Sequence, residues 1–209
     1  MTHLFPYAMA ITDFGESTVL LSTTIAAAGC FWLIHQRQLA MLWLLAVGGC
    51  AATMLVLKLT FLTCGNLVLE GTVHTPSGHS SMSALFYGAA ALTVERFAPP
   101  MARHRALLML GTFLFAVLIG ISRVVLHAHS PQEVVMGLAV GFSWLVGFAI
   151  LLRRVGPSTE MPPATLIILL VLLYGGLLAV TMTGEHVTVE GVLSHLAHLL
   201  QVRWDVCVG

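Results

Sequence analysis

Six apolar stretches, each close to the length of a membrane-spanning helix, follow one another along this chain of 209 residues. They cover residues 17–34, 40–63, 79–94, 106–122, 133–152 and 163–182. A helix of about 20 apolar residues crosses a hydrocarbon layer of about 30 Å. Charged residues make up only 9% of the chain, whereas a soluble domain carries about 25%. The composition therefore excludes a water-soluble globule, a disordered chain and a nucleic-acid-binding protein.

The connections between these stretches are too short to hold a second domain. We therefore predict an all-α fold, a polytopic membrane helical bundle with six transmembrane helices, as a single domain over residues 1–209. The stretch at 79–94 is rich in Ser, Ala and Gly, which let helices approach closely, so we expect it at the centre of the bundle. The tail at 186–204 has apolar residues at helical spacing and predicts an amphipathic surface helix or a seventh packed helix.

Basic residues are concentrated in alternate loops. Six of the nine Lys and Arg residues fall in the first, third and fifth loops: Arg37, Arg96, Arg103, Arg105, Arg153 and Arg154. Short loops that are rich in Lys and Arg stay on the cytoplasmic side. We therefore expect a multi-pass protein of a bacterial inner membrane whose second and fourth loops face the periplasm. Cys64 and Cys207 would both lie on that oxidising side, where pairing and two free thiols are alternatives.

Lys58, the only lysine in the chain, lies one to two turns before the outer end of the second stretch. A charge within a membrane span costs about 2.5 to 3.5 kcal/mol on insertion scales, so an ionisable residue there is a functional candidate. The alternative is a lysine whose side chain extends to the nearby interface. The position alone does not separate the two.

The second loop ends in His-Thr-Pro-Ser-Gly-His at residues 74–79, directly before the small-residue stretch. Thr75 is predicted as the N-cap of the next helix, with Pro76 at its first position. Gly78 would let a ligand approach the N–H groups at this positive helix end, which favours an anion site with His79 beside it. An ordinary helix start with an interfacial histidine is the alternative.

The fourth loop runs from Ser122 to Glu133 and contains a third polar group. Arg123 is a permanent cation whose planar fork suits phosphate oxygens. His129 lies four residues before Glu133, so the carboxylate can hold one imidazole nitrogen while the other attacks a substrate. Ser130 to Glu133 also forms a capping-box pattern. The two roles of the glutamate are compatible if its carboxylate bridges both donors.

Taken in order, these groups resemble the type 2 phosphatidic acid phosphatase superfamily. That family is marked by a lysine element ending in Arg-Pro, then Pro-Ser-Gly-His, then Ser-Arg with five residues to His and three more to Asp. The chain matches the second element in full at 76–79 and the third in its spacing at Ser122, Arg123 and His129. The resemblance covers roughly residues 58–133.

The resemblance implies a phosphatase that removes phosphate from a lipid phosphate or pyrophosphate through a phosphohistidine, at the outer face of the inner membrane. By position, His129 is the nucleophile, His79 is the general acid and Glu133 orients His129. The residues implied to bind the phosphate oxygens are Lys58, Ser77, Gly78 and Arg123. The family needs no metal and no other cofactor. The expected partners are a lipid phosphate substrate and membrane lipids, with no nucleic acid, and the oligomeric state is left open.

The chain departs from the family pattern at two places. Glu133 stands where the family has Asp, which keeps the charge and adds one methylene. Gly65 and Asn66 stand where Arg-Pro is expected, so one guanidinium is missing. The alternatives are a site with fewer cations, replacement by Asn66 or His74, a different head group, or a catalytically silent relative.

Three other functions are compatible with the same residues. A lipid phosphotransferase would use the same phosphohistidine. A metal site could use nitrogen and oxygen ligands, although the histidines lack the i, i+4 pairing around a glutamate that marks a metalloprotease helix. A non-catalytic lipid-binding or transport protein fits the missing Arg-Pro and the charge inside a span. The candidate metal ligands are His74, His79, His127, His129 and Glu133.

Overall fold

A computed structural model describes residues 5–69, 75–97 and 104–156, together with Val171 and Gly175. Every regular element in this part of the chain is an α-helix, which confirms the predicted all-α class. The elements are α1 (Phe5–Asp13), α2 (Ser17–Leu33), α3 (Arg37–Leu69), α4 (Gly78–Phe97), α5 (Arg105–Val125) and α6 (Pro131–Leu152).

Four segments are long and apolar enough to cross a membrane. They are Phe5–Leu33, Arg37–Thr63, Arg105–Val125 and Pro131–Leu152, and they match the first, second, fourth and fifth predicted spans. The third predicted span forms α4, a helix of 20 residues that is not among these four. The sixth span, apart from Val171 and Gly175, and the tail at 186–204 lie outside the described residues. Six spans therefore remain a prediction.

Helix α4 lies at the centre of the bundle, as the composition of its stretch predicts. It contacts α2, α3, α5 and α6, and twelve of its residues are buried. A Cβ added to Gly137 of α6 would collide with the carbonyl oxygen of Ser77, and one added to Gly141 would collide with that of Ser81. The two backbones therefore touch at this crossing, because glycines four residues apart remove the side chains that would separate them.

An aromatic core fills the half of the bundle away from Lys58. The Trp43 ring lies 5.5 Å from the Phe86 ring and 5.7 Å from the Phe148 ring, between centroids. Its indole N–H donates to Thr93 Oγ1 at 3.2 Å. At a rise of about 1.5 Å per residue, Trp43 lies about 22 Å along α3 from Lys58. This packing fixes α3, α4 and α6 relative to one another and so determines where their other ends meet.

Helix α3 is longer than predicted. It begins at Arg37 and continues to Leu69, beyond the predicted end at residue 63. Residues 64–69 contain one glycine and no proline, and a single glycine costs a helix only about 1 kcal/mol, so nothing there stops the helix. The side chains of Cys64 and Asn66, and the whole of His74 and Cys207, lie outside the described residues. The pairing of Cys64 with Cys207 and the replacement of the missing Arg-Pro by Asn66 or His74 therefore stay predictions.

Candidate active site

The loop between α5 and α6 begins with a tight turn that ends α5. The N–H of His127 donates to the carbonyl oxygen of Val124 at 3.0 Å, and that of Ala128 donates to Arg123 at 3.0 Å. These bonds form a Schellman motif, in which His127 has the left-handed conformation with φ 55°. His127 is exposed. The N–H of His129 donates to the Arg123 carbonyl at 3.3 Å, so the turn fixes His129 next to Arg123.

The carboxylate of Glu133 makes both contacts that the sequence allowed, one to His129 and one in the capping box. Its Oε2 lies 2.9 Å from His129 Nδ1 and accepts from the N–H of Ser130 at 3.0 Å. The N–H of Glu133 donates to Ser130 Oγ at 3.4 Å, which completes the capping box of α6. His129 is 8% exposed and Glu133 is 4% exposed. Since burying a carboxylate is costly unless it is hydrogen-bonded, these donors offset the cost of burying Glu133.

Glu133 also joins the Pro-Ser-Gly-His segment to α6. Its Oε1 accepts from the N–H of Thr75 at 3.2 Å, and its carbonyl oxygen accepts from the N–H of Ser77 at 3.0 Å. Together with the contact between Ser77 and Gly137, these bonds hold the start of α4 against the first turns of α6. The second and third family elements therefore meet at one glutamate.

The prediction that Thr75 caps α4 is wrong. The helix begins at Gly78, and the residue before it, Ser77, accepts at its Oγ from the N–H of Ser80 at 3.4 Å. The N–H of Thr75 is used by Glu133 instead, and the residue before a proline is biased away from helical geometry. Ser77 is fully buried, and its hydroxyl also accepts from Ser80 Oγ at 3.0 Å.

A cavity of about 160 Å³ opens beside the start of α4. Its polar side is formed by Glu16, Ser17, Lys58, Gly78 and His79, and the rest of its wall is apolar. Lys58 is 8% exposed, and a Cβ added to Gly78 would lie 3.8 Å from its Nζ. The structure thus brings Lys58, Gly78 and His79 together, with the side chain of Lys58 buried. Ser77, Arg123, His129 and Glu133 do not line this cavity.

Two contacts to the site come from the N-terminal segment and were missed by the sequence analysis. Glu16 Oε2 lies 3.0 Å from His79 Nε2. Arg123 Nη1 donates to Thr12 Oγ1 at 3.3 Å. The sequence shows only that Glu16 is an acidic residue on the same predicted membrane face as the motifs. No spacing rule connects it to a histidine 63 positions later in the chain.

Among the described residues, no group of three or more His, Cys, Asp or Glu side chains is arranged to hold a metal ion. Of the candidate ligands named above, His74 lies outside the described residues. His79 and His129 instead each face one carboxylate, Glu16 and Glu133 respectively. Carboxylate–imidazole pairs suit proton transfer and nucleophilic attack.

Comparisons with known proteins identify the family to which the chain belongs. The chain is 35% identical over 149 residues to the "Uncharacterized 22.5 kDa protein in cps region" of Klebsiella pneumoniae. The aligned region covers 69% of this chain and 68% of that protein. It is 29% identical over 135 residues to phosphatidylglycerophosphatase B of Bacillus subtilis (strain 168), covering 63% and 66%. No solved structure matches significantly. The PAP2 superfamily model matches residues 60–157, which contain both histidine motifs, and the chain belongs to the PAP2 superfamily.

Proposed function

We propose that this membrane protein is a lipid phosphatase that works through a phosphohistidine on His129. The observation that carries the proposal is the 2.9 Å contact between His129 Nδ1 and Glu133 Oε2. A carboxylate accepts a hydrogen bond from an Nδ1 that carries a proton. Nε2 is therefore the nitrogen whose lone pair attacks phosphorus. The same carboxylate stabilises the positive charge that the ring acquires when Nε2 bonds to phosphorus.

The reaction has two halves. In the first, Nε2 of His129 bonds to phosphorus, the bond to the leaving oxygen breaks, and His79 gives that oxygen a proton so that the lipid leaves as an alcohol. In the second, His79 takes a proton from water, the water oxygen bonds to phosphorus, and the P–N bond breaks to release inorganic phosphate. Lys58, Arg123 and the N–H groups at the start of α4 offset the charge on the nonbridging oxygens.

The cavity beside His79 supports a lipid as the substrate. Beyond Lys58 its wall is formed by apolar side chains of α2, α3 and α4, among them Leu21, Met54 and Leu55. A polar end next to an apolar wall suits an amphiphile with a phosphorylated head group. Because one relative is named a phosphatidylglycerophosphatase, phosphatidylglycerol phosphate is the first lipid to test. Phosphatidic acid, a polyprenyl pyrophosphate and a phosphorylated lipid A are the others.

The charge distribution supports a site that faces the periplasm from a bacterial inner membrane. Arg96, Arg105 and Arg153 line a second cavity at the far end of α4 from His79. A cationic end is expected on the cytoplasmic side, which favours the opposite face for His79 and His129. Single cysteines introduced beside Arg105 and beside Ala128, in a variant without the four native cysteines, test this orientation. Only the cysteine beside Ala128 should react with a membrane-impermeant thiol reagent in intact cells.

The experiment that tests the function offers the purified protein the panel of lipid phosphates and measures released phosphate. We expect turnover of at least one of these lipids and an acid-labile, base-stable phosphoenzyme, both abolished by His129→Ala. His127→Gly is the matched control, because it removes a neighbouring exposed imidazole and glycine readily adopts the left-handed conformation found there.

Three results would decide against parts of the proposal. A protein that binds these lipids and releases no phosphate from any of them is a non-catalytic relative. Phosphate that appears on an added acceptor lipid instead of in water identifies a phosphotransferase. Activity that a chelator abolishes, with no phosphoenzyme formed, indicates metal-dependent chemistry.

A further inference from the structure

The turn between α1 and α2, residues 14–16, packs directly on the helices that carry the site. The carbonyl oxygen of Phe14 accepts from the Tyr87 hydroxyl at 2.8 Å, and the Phe14 ring lies 5.6 Å from the Phe115 ring. A Cβ added to Gly15 would lie 2.6 Å from Ile119 Cγ2, which leaves no room for a side chain. Contacts with α4 and α5 therefore fix the residue that follows, Glu16, over the start of α4.

Two described side chains contact the carboxylate of Glu16. Its Oε2 lies 3.0 Å from His79 Nε2, and its Oε1 accepts from Thr18 Oγ1 at 3.4 Å. The side chains of His79 and Glu16 are 17% and 14% exposed, so solvent screens their interaction less than that of a surface pair. Both residues line the cavity that also contains Lys58.

The charges around His79 explain why such a partner is needed. Lys58 from α3 lines the same cavity, and a second positive charge close to an ammonium group is disfavoured. Arg123 of α5 is hydrogen-bonded to Thr12, just before the turn. The pair of His129 and Glu133 lies where α6 meets the segment that leads into α4. Among the described residues, the carboxylate of Glu16 contacts His79, and a negative charge there favours the protonated ring that a general acid requires.

We propose that Glu16 is a positioning residue that holds His79 as the protonated donor to the leaving oxygen, an inference that rests on the proposed function. With Nε2 bonded to Glu16, the Nδ1 proton goes to the leaving oxygen, and the neutral ring later takes a proton from water at the same atom. Glu16 lies outside residues 60–157, the part that matches the family, so this contact is contributed by the N-terminal segment.

The test compares Glu16→Gln with wild-type protein on two substrates that have different leaving groups. An alkyl phosphate, such as the lipid that the wild-type protein hydrolyses, needs a proton on its leaving oxygen. The p-nitrophenolate group of p-nitrophenyl phosphate leaves without a proton. We expect phosphoenzyme formation from the lipid to fall about 10- to 100-fold, and formation from the aryl phosphate to change less than about threefold. The alkaline limb of the pH profile for the lipid should move to lower pH, since the protonated ring loses its counter-charge.

Further variants separate positioning from folding. Glu16→Asp should recover part of the lipid rate, and Glu16→Gln combined with His79→Gln should lose no more than His79→Gln alone. Glu95→Gln, which removes the carboxylate bonded to Arg105 at 3.2 Å at the other end of α4, is the matched control and should leave both rates unchanged.

The inference is overturned if Glu16→Gln slows both substrates equally or neither. Those results require a wild-type protein that forms the phosphohistidine, so they leave the proposed function intact. A wild-type protein that forms no phosphohistidine with either substrate overturns the proposed function and this inference together.

Discussion

Replacement of Glu133 by glutamine separates the two roles of its carboxylate while keeping its shape. Three donors meet the carboxylate: the N–H groups of Thr75 and Ser130, and Nδ1 of His129. A carboxamide has one acceptor oxygen, so its NH₂ group must face at least one of these donors. Leaving one buried N–H unsatisfied costs about 1–3 kcal/mol. We therefore expect Glu133→Gln to fold with its stability lowered by about that amount.

The effect on activity should be larger than the effect on stability. The amide cannot offset the charge that His129 gains on attack, and loss of a positioned charge of this kind costs about 10²- to 10³-fold in rate, or about 3–4 kcal/mol. Because Glu133 does not line the cavity next to Lys58 and His79, KM should change little. Turnover of the lipid substrate and thermal unfolding in detergent measure the two quantities separately.

Glu133→Asp is the informative companion, because it restores the residue of the family pattern. It keeps the charge on a side chain one methylene shorter, so we expect more activity than in Glu133→Gln. An unchanged turnover number in Glu133→Gln, with the stability lowered as calculated, would refute the catalytic role. The glutamate would then act only as the cap of α6 and as the link to Thr75.

Two other predictions follow from the same geometry. Gly137→Ala places a methyl group against the Ser77 carbonyl oxygen and should lower stability by about 1–3 kcal/mol, with loss of activity. Gly147→Ala in the same helix, which meets no atom within 4 Å, should unfold at the same or a slightly higher temperature, because alanine favours a helix by up to about 1 kcal/mol over glycine; a loss of stability equal to that of Gly137→Ala would exclude the backbone contact as the cause. The lipid hydrolysis rate of the wild-type protein should pass through a maximum with pH, since His129 must be neutral and His79 protonated. A monotonic rate profile between about pH 4 and 9 contradicts this pair of roles.

The sequence predicts those parts of the site whose signal is local. The Pro-Ser-Gly-His segment, the spacing of His129 and Glu133, and the capping box each lie within a few residues of chain. A spacing of four residues across a helix start is sufficient to predict that His129 can contact Glu133, because the intervening turn is tight. The small residues of the stretch at 79–94 likewise predict its central place in the bundle.

Contacts between distant segments were not predictable in this way. Glu16 reaches His79 only because the turn before α2 packs against α4 and α5, and nothing near Glu16 in the chain indicates that packing. The error at Thr75 has the same origin, since its N–H is used by a carboxylate from α6 instead of by its own helix. The glycines at 137 and 141 form a recognisable small-residue pair, but the sequence does not say which helix they meet.

The backbone contact between α4 and α6 has a consequence for the range of lipids that the protein can accept. With no side chains between Ser77 and Gly137, or between Ser81 and Gly141, this contact cannot yield by a change of rotamer, and it lies outside the lining of the cavity. The cavity lining is different, because Leu21 of α2 and Leu55 of α3 are 36% and 42% exposed and end in flexible side chains. In the proposed phosphatase, acyl chains of unequal bulk would thus be accommodated on the α2 and α3 side, while the contact between α4 and α6 holds the Pro-Ser-Gly-His segment against the helix that follows His129.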